Sequence, residues 1–451
     1  MPGWKKVLTQ LAYNAEQRMD ELRYRLHYAL GGPGPVKIIA YRGYGTPEQL
    51  FLRGRVLEDK NIPEAERNDN LWDNIVNMYK RMESDEVPNA RLVARFGYVE
   101  QEIVANQEGY FEISIEPRAP LSERQLWHPI ELELIDPIPK EQSHAPVKEI
   151  GQVLVPPPTA RHVVVSDIDD TVLQSDATHM LKMARNVFLG NAHTRLPFPG
   201  VAALYRALFT GKSGTEMNPL FYVSSSPWNL YDLLSQFFNL QGIPVGPVLF
   251  LRDWGVTPEE ILPIKHKEYK MRYIKEMLDF YTDMPFILIG DSGQEDPEIY
   301  AELVTMYPKR IQAVYIRNVT RDLKRPEMVR ELAKSVVEAG SALVLADDTV
   351  AIAKHAIEMG FISPEAMASI QDEKRKDEAP PTPIEKLLGE DTQAEAPTIK
   401  VEGRTTTETK NAVEEGTVEE VVKEAGKETT KQPPTVVVEG KDAKKQKKEQ
   451  K

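Results

Sequence analysis

The run Asp167-Ile168-Asp169-Asp170-Thr171 stands directly behind three valines, Val163-Val164-Val165. A short β-branched run reads as a buried strand. Three carboxylates crowded into the turn that ends it would repel one another unless a cation or a phosphate chemistry accounts for them. The plain alternative is an Asp-rich turn or helix cap, so the partners decide. A second apolar strand, Leu220-Phe221-Tyr222-Val223, ends in Ser224-Ser225-Ser226-Pro227-Trp228. Lys270 follows, and a third strand, Phe286-Ile287-Leu288-Ile289, ends in Gly290-Asp291-Ser292-Gly293-Gln294-Glu295-Asp296-Pro297. Open α/β sheets collect their ligands at the carboxyl ends of strands. Together these sets offer a nucleophile, an acid/base, hydroxyl and ammonium clamps and acidic metal ligands. Those are the parts of phosphoryl transfer to a carboxylate.

The combination resembles the haloacid-dehalogenase superfamily of phosphohydrolases. More narrowly, Asp-Ile-Asp-Asp-Thr, Ser-Ser-Ser-Pro-Trp-Asn and Gly-Asp-Ser-Gly-Gln-Glu-Asp-Pro-Glu-Ile-Tyr resemble the actin-patch phosphatidate phosphatase family and its bacterial relatives, over roughly residues 36 to 362. The resemblance implies that Asp167 attacks phosphorus. Asp169, two residues on and pointing the same way along an extended backbone, would protonate the leaving oxygen and later deprotonate water. Such help is typically worth about 10²–10⁴ in rate. Thr171 would fix the loop by hydrogen bonds. Ser224 matches the second motif of the family, although helix capping is its plain alternative; both hold if Ser226 caps ahead of Pro227. Lys270 is the best match for the phosphate-neutralising lysine, because Ile274 and Leu278 follow it at helical spacing. Lys267 is the next candidate, and a solvated basic face that also includes Lys265 and Lys275 is the alternative. The implied cofactor is Mg²⁺, which takes a few carboxylates plus water and phosphate oxygens. Its expected ligands are Asp167, Asp169, Asp291 and Asp296. Asp296 precedes a proline and is also read as a helix cap, with Glu295 as its rival.

These residues need elements to position them. From about 163 to 362, short apolar runs at 163–166, 220–223, 248–250, 286–289, 313–316 and 342–345 alternate with helical patterns, for example at 180–188, 269–281 and 326–339. That alternation predicts an α/β fold with a doubly wound parallel sheet, placed at 151–368. Residues 32–150 change character. Alternating segments at 37–41, 50–57, 99–105, 110–115 and 130–135, with a helix around 71–82, predict a smaller antiparallel β-sandwich. Arg42-Gly43-Tyr44-Gly45 reads there as an ordinary β-turn. Apolar residues at steps of three and four predict an amphipathic helix within 1–31, ended by Gly31-Gly32-Pro33. Residues 369–451 are densely charged and poor in apolar side chains, which predicts a disordered tail.

Composition narrows the class. The 451 residues are 41% hydrophobic, enough for two or three sizeable cores. No apolar run approaches 18 residues and the start has no signal-peptide pattern, so neither a transmembrane helix nor secretion is expected. Zero cysteines exclude disulfides, thiolate metal sites and thiol catalysis. A cytoplasmic protein is the simplest account. The net charge of −13 argues against nucleic acid as a partner. The expected activity is that of a Mg²⁺-dependent phosphatidate phosphatase-like hydrolase. The short spacings between motifs leave little room for an enclosing cap, which suits a substrate held elsewhere, such as a lipid headgroup at a bilayer. A soluble or protein phosphate ester stays open as substrate. So do peripheral membrane contact through the N-terminal helix and an adaptor role for the β-domain and tail. The sequence says nothing of oligomeric state.

Overall fold

Runs of β-branched and aromatic residues lay down a parallel sheet whose strands are nearly solid with apolar side chains. The computed structural model describes residues 34–59, 86–138, 145–168, 199–228, 231–252, 266–319, 322, 324–378 and 436–439. The helices expected at 4–30, 71–82 and 180–188 lie outside them. Six strands are mutually parallel: β9 (Val163–Asp167), β10 (Leu220–Pro227), β11 (Val248–Arg252), β12 (Phe286–Asp291), β13 (Ile311–Arg317) and β14 (Ala342–Ala346). Their order is β11-β10-β9-β12-β13-β14. The chain steps outward from β9 to β10 and β11, then returns to the other side of β9 with β12. The strand order therefore reverses between β9 and β12, and that is where open sheets form a crevice.

Alternation along each strand builds two cores. Val164, Tyr222 and Ile287 face one core; Val163, Val165, Phe221 and Leu288 face the other. Helices α1 (Val201–Thr210), α2 (Tyr231–Gln241), α6 (Thr349–Met359) and α7 (Ala366–Glu378) cover the first face. Helices α3 (His266–Phe280), α4 (Asp296–Met306) and α5 (Arg325–Glu338) cover the second. Val163, Val164 and Val165 are fully buried, each burial contributing about 1.5–3 kcal/mol.

The N-terminal segment forms an eight-stranded, mainly antiparallel sheet: β1 (Val36–Ala40), β2 (Gly43–Gly45), β3 (Leu50–Glu58), β4 (Arg91–Phe96), β5 (Val99–Val104), β6 (Tyr110–Ile115), β7 (Trp127–Asp136) and β8 (Lys148–Leu154). It has its own core around Leu50, Leu92, Ile113 and Ile130. The expected turn at Arg42-Gly43-Tyr44-Gly45 is instead strand β2, wedged between β3 and β8. Glycine is required there because a Cβ at Gly43 would stand 2.0 Å from the Phe51 carbonyl oxygen. Strand β8 runs to Leu154, past the boundary expected at 150.

Within the span expected as a charged tail, residues 369–378 and 436–439 are described. Helix α7 crosses the boundary expected at 368 and ends at Glu378. Residues Val436–Glu439 form β15, which pairs antiparallel with β14. An edge strand presents unpaired N–H and C=O groups, and a run of three valines has the β-branched character to take them up.

Candidate active site

Asp167 is the last residue of β9 and Asp291 the last of β12, so the strand-order reversal sets them side by side. Asp296 opens α4 five residues later and folds back under the strand end. A Cβ on Gly290 would stand 2.2 Å from its Oδ2, so only glycine admits this approach. Each of the three residues offers a carboxylate oxygen within 4.8 Å of the other two. Lys270 comes from α3 on the second face and is 5% exposed. Its Nζ lies 2.8 Å from Asp167 Oδ1 and 2.5 Å from Asp296 Oδ1. Burial pulls the ammonium down, but the paired carboxylates of Asp167 and Asp296 outweigh it and hold the group above its usual range.

The two other acids are fixed by backbone. Asp291 Oδ1 accepts from the amides of Gly293 at 2.6 Å and Gln294 at 3.1 Å. Asp296 is fully buried, and its second oxygen accepts from the Asp291 amide at 3.2 Å. Asp296 thus grips Lys270 with one oxygen and the β12 terminus with the other. Ser224 is buried on β10, one residue past Val223, which pairs with Asp167 across the ladder. Asp169 and Thr171 lie outside the described residues. Lys267, the rival lysine, is 39% exposed and pairs with Glu302 at 3.0 Å. Glu295 is exposed at the start of α4. The structure therefore brings Asp167, Lys270, Asp291 and Asp296 together and leaves Lys267 and Glu295 outside the cluster.

Further residues join them that the sequence did not single out. Arg317 ends β13, in register with Asp291, and lines a cavity with Asp167, Ile168, Val201, Leu204, Ile289 and Ile352. Burial lowers its guanidinium to about 10 against the opposing fields of Asp348, Tyr205 and Asp347. Its Nη1 donates to Thr349 Oγ1 at 2.9 Å, which in turn donates to the Pro199 carbonyl at 2.8 Å. Tyr205 meets the Ser166 hydroxyl at 2.6 Å beneath Asp167, and burial pushes its phenol up to about 12. Arg325 Nε donates to the Ser292 carbonyl at 2.8 Å, its Nη2 to the Gln294 carbonyl at 2.5 Å, and its fork pairs with Glu298. The loop that carries Asp291 is therefore clamped by an arginine. The rule that strand ends bear function would have pointed to Arg317, but the strand expected at 313–316 stops one residue short of it.

The comparisons follow the same segment. Residues 162–318 match the family model described as phosphatidate phosphatase APP1, catalytic domain. An uncharacterized protein of Schizosaccharomyces pombe is 32% identical over 162 residues, covering 35% of this chain and 25% of that protein. Phosphatidate phosphatase APP1 of Saccharomyces cerevisiae is 32% identical over 155 residues, covering 34% of this chain and 25% of its own. The chain thus spans about a quarter of the length of these two relatives. A crystal structure of a carbohydrate acetylesterase from Xanthomonas citri aligns over 73% of this chain and 71% of its own with a TM-score of 0.27 and 9% identity, too distant to inform the site. Among the described residues no helix is long and apolar enough to cross a membrane. Residues 162–318 are thus similar to the catalytic domain of the APP1 phosphatidate phosphatases.

Proposed function

We propose that this chain is a divalent-cation-dependent phosphatase of haloacid-dehalogenase type that hydrolyses a phosphatidate-like lipid monoester through a phosphorylated Asp167. The observation that carries the reading is the Lys270 ammonium held between Asp167 and Asp296 with Asp291 alongside, at the strand-order reversal of the sheet. The lipid substrate is supported by the relative named a phosphatidate phosphatase. A cytoplasmic enzyme in peripheral contact with a bilayer fits this substrate.

The residues fit a hard divalent cation such as Mg²⁺. Three carboxylates against one ammonium leave the cluster with a formal deficit of two positive charges, and all the converging donors are oxygens. Asp167 and Asp291 would hold the ion, with the backbone carbonyl of Asp169, while Asp296 aligns Lys270; bound, it would neutralise charge on the phosphate. The remaining work falls to side chains. Lys270 orients the Asp167 carboxylate for in-line attack and meets the oxygens of the transferring phosphoryl group. Ser224 donates to the same oxygens. Asp167 forms the new bond to phosphorus as the ester P–O bond breaks, and Asp169 gives its proton to the departing alkoxide. A water that Asp169 then deprotonates attacks phosphorus, freeing phosphate and restoring the Asp167 carboxylate and the protonated Asp169 acid. Thr171 steadies the loop.

The test is phosphate release from phosphatidate vesicles with Mg²⁺ or with chelator, by wild type and Asp167→Asn. Mg²⁺-dependent release that Asp167→Asn abolishes supports the reading. Equal rates in both proteins, or none in either, refute it. A soluble phosphate ester hydrolysed faster than the lipid would move the substrate to that class and keep the mechanism.

A further inference from the structure

We propose that Tyr41 and Arg42 of the N-terminal sheet are positioning residues for the phosphate-binding groups, so that this sheet is a working part of the catalytic unit. The proposal rests on the phosphatase reading. Its starting point is the way β10 ends. The ladder between β10 and β11 is interrupted by a register shift directly after Ser224, the residue proposed to face phosphate, and resumes at Pro227. Contacts from another segment add support where the regular pairing breaks.

That support comes from a segment about 190 residues away in sequence. Trp228, at the end of the serine run, is 7% exposed and packs its ring 4.5 Å from that of Tyr41. Tyr231, the first residue of α2, stands edge-on to the same Tyr41 ring at 4.8 Å. The Arg42 amide donates to the Tyr231 hydroxyl at 2.8 Å, and Arg42 Nη1 donates to Ser235 Oγ at 3.0 Å. The helix that leaves the serine motif is thus stapled at its first turn by the chain between β1 and β2.

The same short segment reaches the other face of the parallel sheet. Tyr44 stands edge-on to Phe221 of β10 at 5.9 Å and to Phe280, the last residue of α3, at 5.5 Å. Tyr281 donates to the Gly45 carbonyl at 3.2 Å. Residues 41–45 therefore touch both the element that follows Ser224 and the end of the helix that carries Lys270. The two groups proposed to meet phosphate approach from opposite faces of the sheet, and this segment braces both. A misplacement of about 1 Å at such groups is enough to cost about 10²-fold in rate.

The experiment uses the full chain and two readouts that a merely structural role would leave unchanged in folded protein. One is the Kd for inorganic phosphate, by calorimetry with Mg²⁺; the other is the split of kcat and KM on a soluble phosphate monoester. Thermal unfolding reports how much protein is folded. Tyr41→Ala is expected to weaken phosphate binding and lower kcat/KM by about tenfold, while Tyr41→Phe, which keeps the ring, restores both to within about twofold. Arg42→Ala spares the ring contacts and should cost severalfold, and it decides the matter if Tyr41→Ala does not fold. Folded Tyr41→Ala or Arg42→Ala with wild-type phosphate affinity and kcat/KM would overturn the proposal. A wild type that neither binds phosphate nor differs from Asp167→Asn would instead overturn the phosphatase reading, and this one with it.

Discussion

Replacing Asp296 by asparagine isolates the interaction that organises the site. The two side chains have the same shape, but asparagine offers one acceptor oxygen and one NH₂ donor where aspartate offers two acceptors. In the structure both oxygens face donors, the Lys270 ammonium at 2.5 Å and the Asp291 amide at 3.2 Å. Whichever way the amide points, one donor meets another donor in a site that is 0% exposed. Removing one partner of a buried ion pair costs about 3–5 kcal/mol. Lys270 keeps Asp167 at 2.8 Å, so the lower end, about 3 kcal/mol, is the better figure. At about 2–4 °C per kcal/mol for a domain of this size, Tm should fall by about 6–12 °C. The pH dependence gives a second handle. The folded-state value of Lys270 is raised above its ordinary 10.5. Its contribution is therefore fully present below the unfolded value and lost as pH rises through the folded one. Asp296→Asn shrinks that contribution, so the Tm gap to wild type should narrow above pH 10.5. Calorimetry or circular dichroism at neutral pH and above pH 10.5 reads both effects. A variant with wild-type Tm at neutral pH would refute the claim that Asp296 and Lys270 form a buried, mutually dependent pair.

Two further perturbations test the supports of the site. Arg325→Lys loses the fork that holds the Ser292 and Gln294 carbonyls and Glu298, because an ammonium cannot reproduce that geometry. The expected result is a 10–100-fold weaker affinity for the divalent cation at near-wild-type stability, read by Mg²⁺ titration; an unchanged titration would contradict it. Gly200, the residue before helix α1, has no side chain to cap it, and helix α7 supplies the missing acceptors. Asp377 Oδ2 accepts from the Gly200 amide at 2.7 Å and Glu373 Oε1 from the Ala203 amide at 2.9 Å. Asp377→Asn and Glu373→Gln should each cost about 1 kcal/mol in urea unfolding, the usual worth of a helix cap. Midpoints equal to wild type would show that the contacts carry no stability.

The parallel sheet was legible because its strands are buried on both faces and read as solid apolar runs. Strands expected at 163–166 and 286–289 appear as Val163–Asp167 and Phe286–Asp291. The helix expected at 326–339 spans Arg325–Glu338. The acids of the cluster were legible for a related reason, since Asp167 and Asp291 stand at the ends of obvious apolar strands and Asp296 lies five residues beyond the second. The remaining features depend on tertiary partners. Helix α7 has Ile370 as its buried residue and otherwise reads as a charged tail; its carboxylates find partners on α1 and Asp348 pairs with Lys374. Strand β2 has three residues, two of them glycine, and exists because β3 and β8 flank it closely. Arg317 is a single residue with no spacing to betray it. Its role in the cavity comes from the register of β13 against β12.

The account depends most directly on Asp167 becoming covalently phosphorylated. Wild-type protein mixed with radiolabelled phosphatidate and Mg²⁺, then quenched in acid, should carry label on the polypeptide that hydroxylamine releases, as an acyl phosphate does, and Asp167→Asn should carry none. Label that persists in Asp167→Asn, or phosphate turnover by wild type with no labelled protein at any quench time, would contradict it.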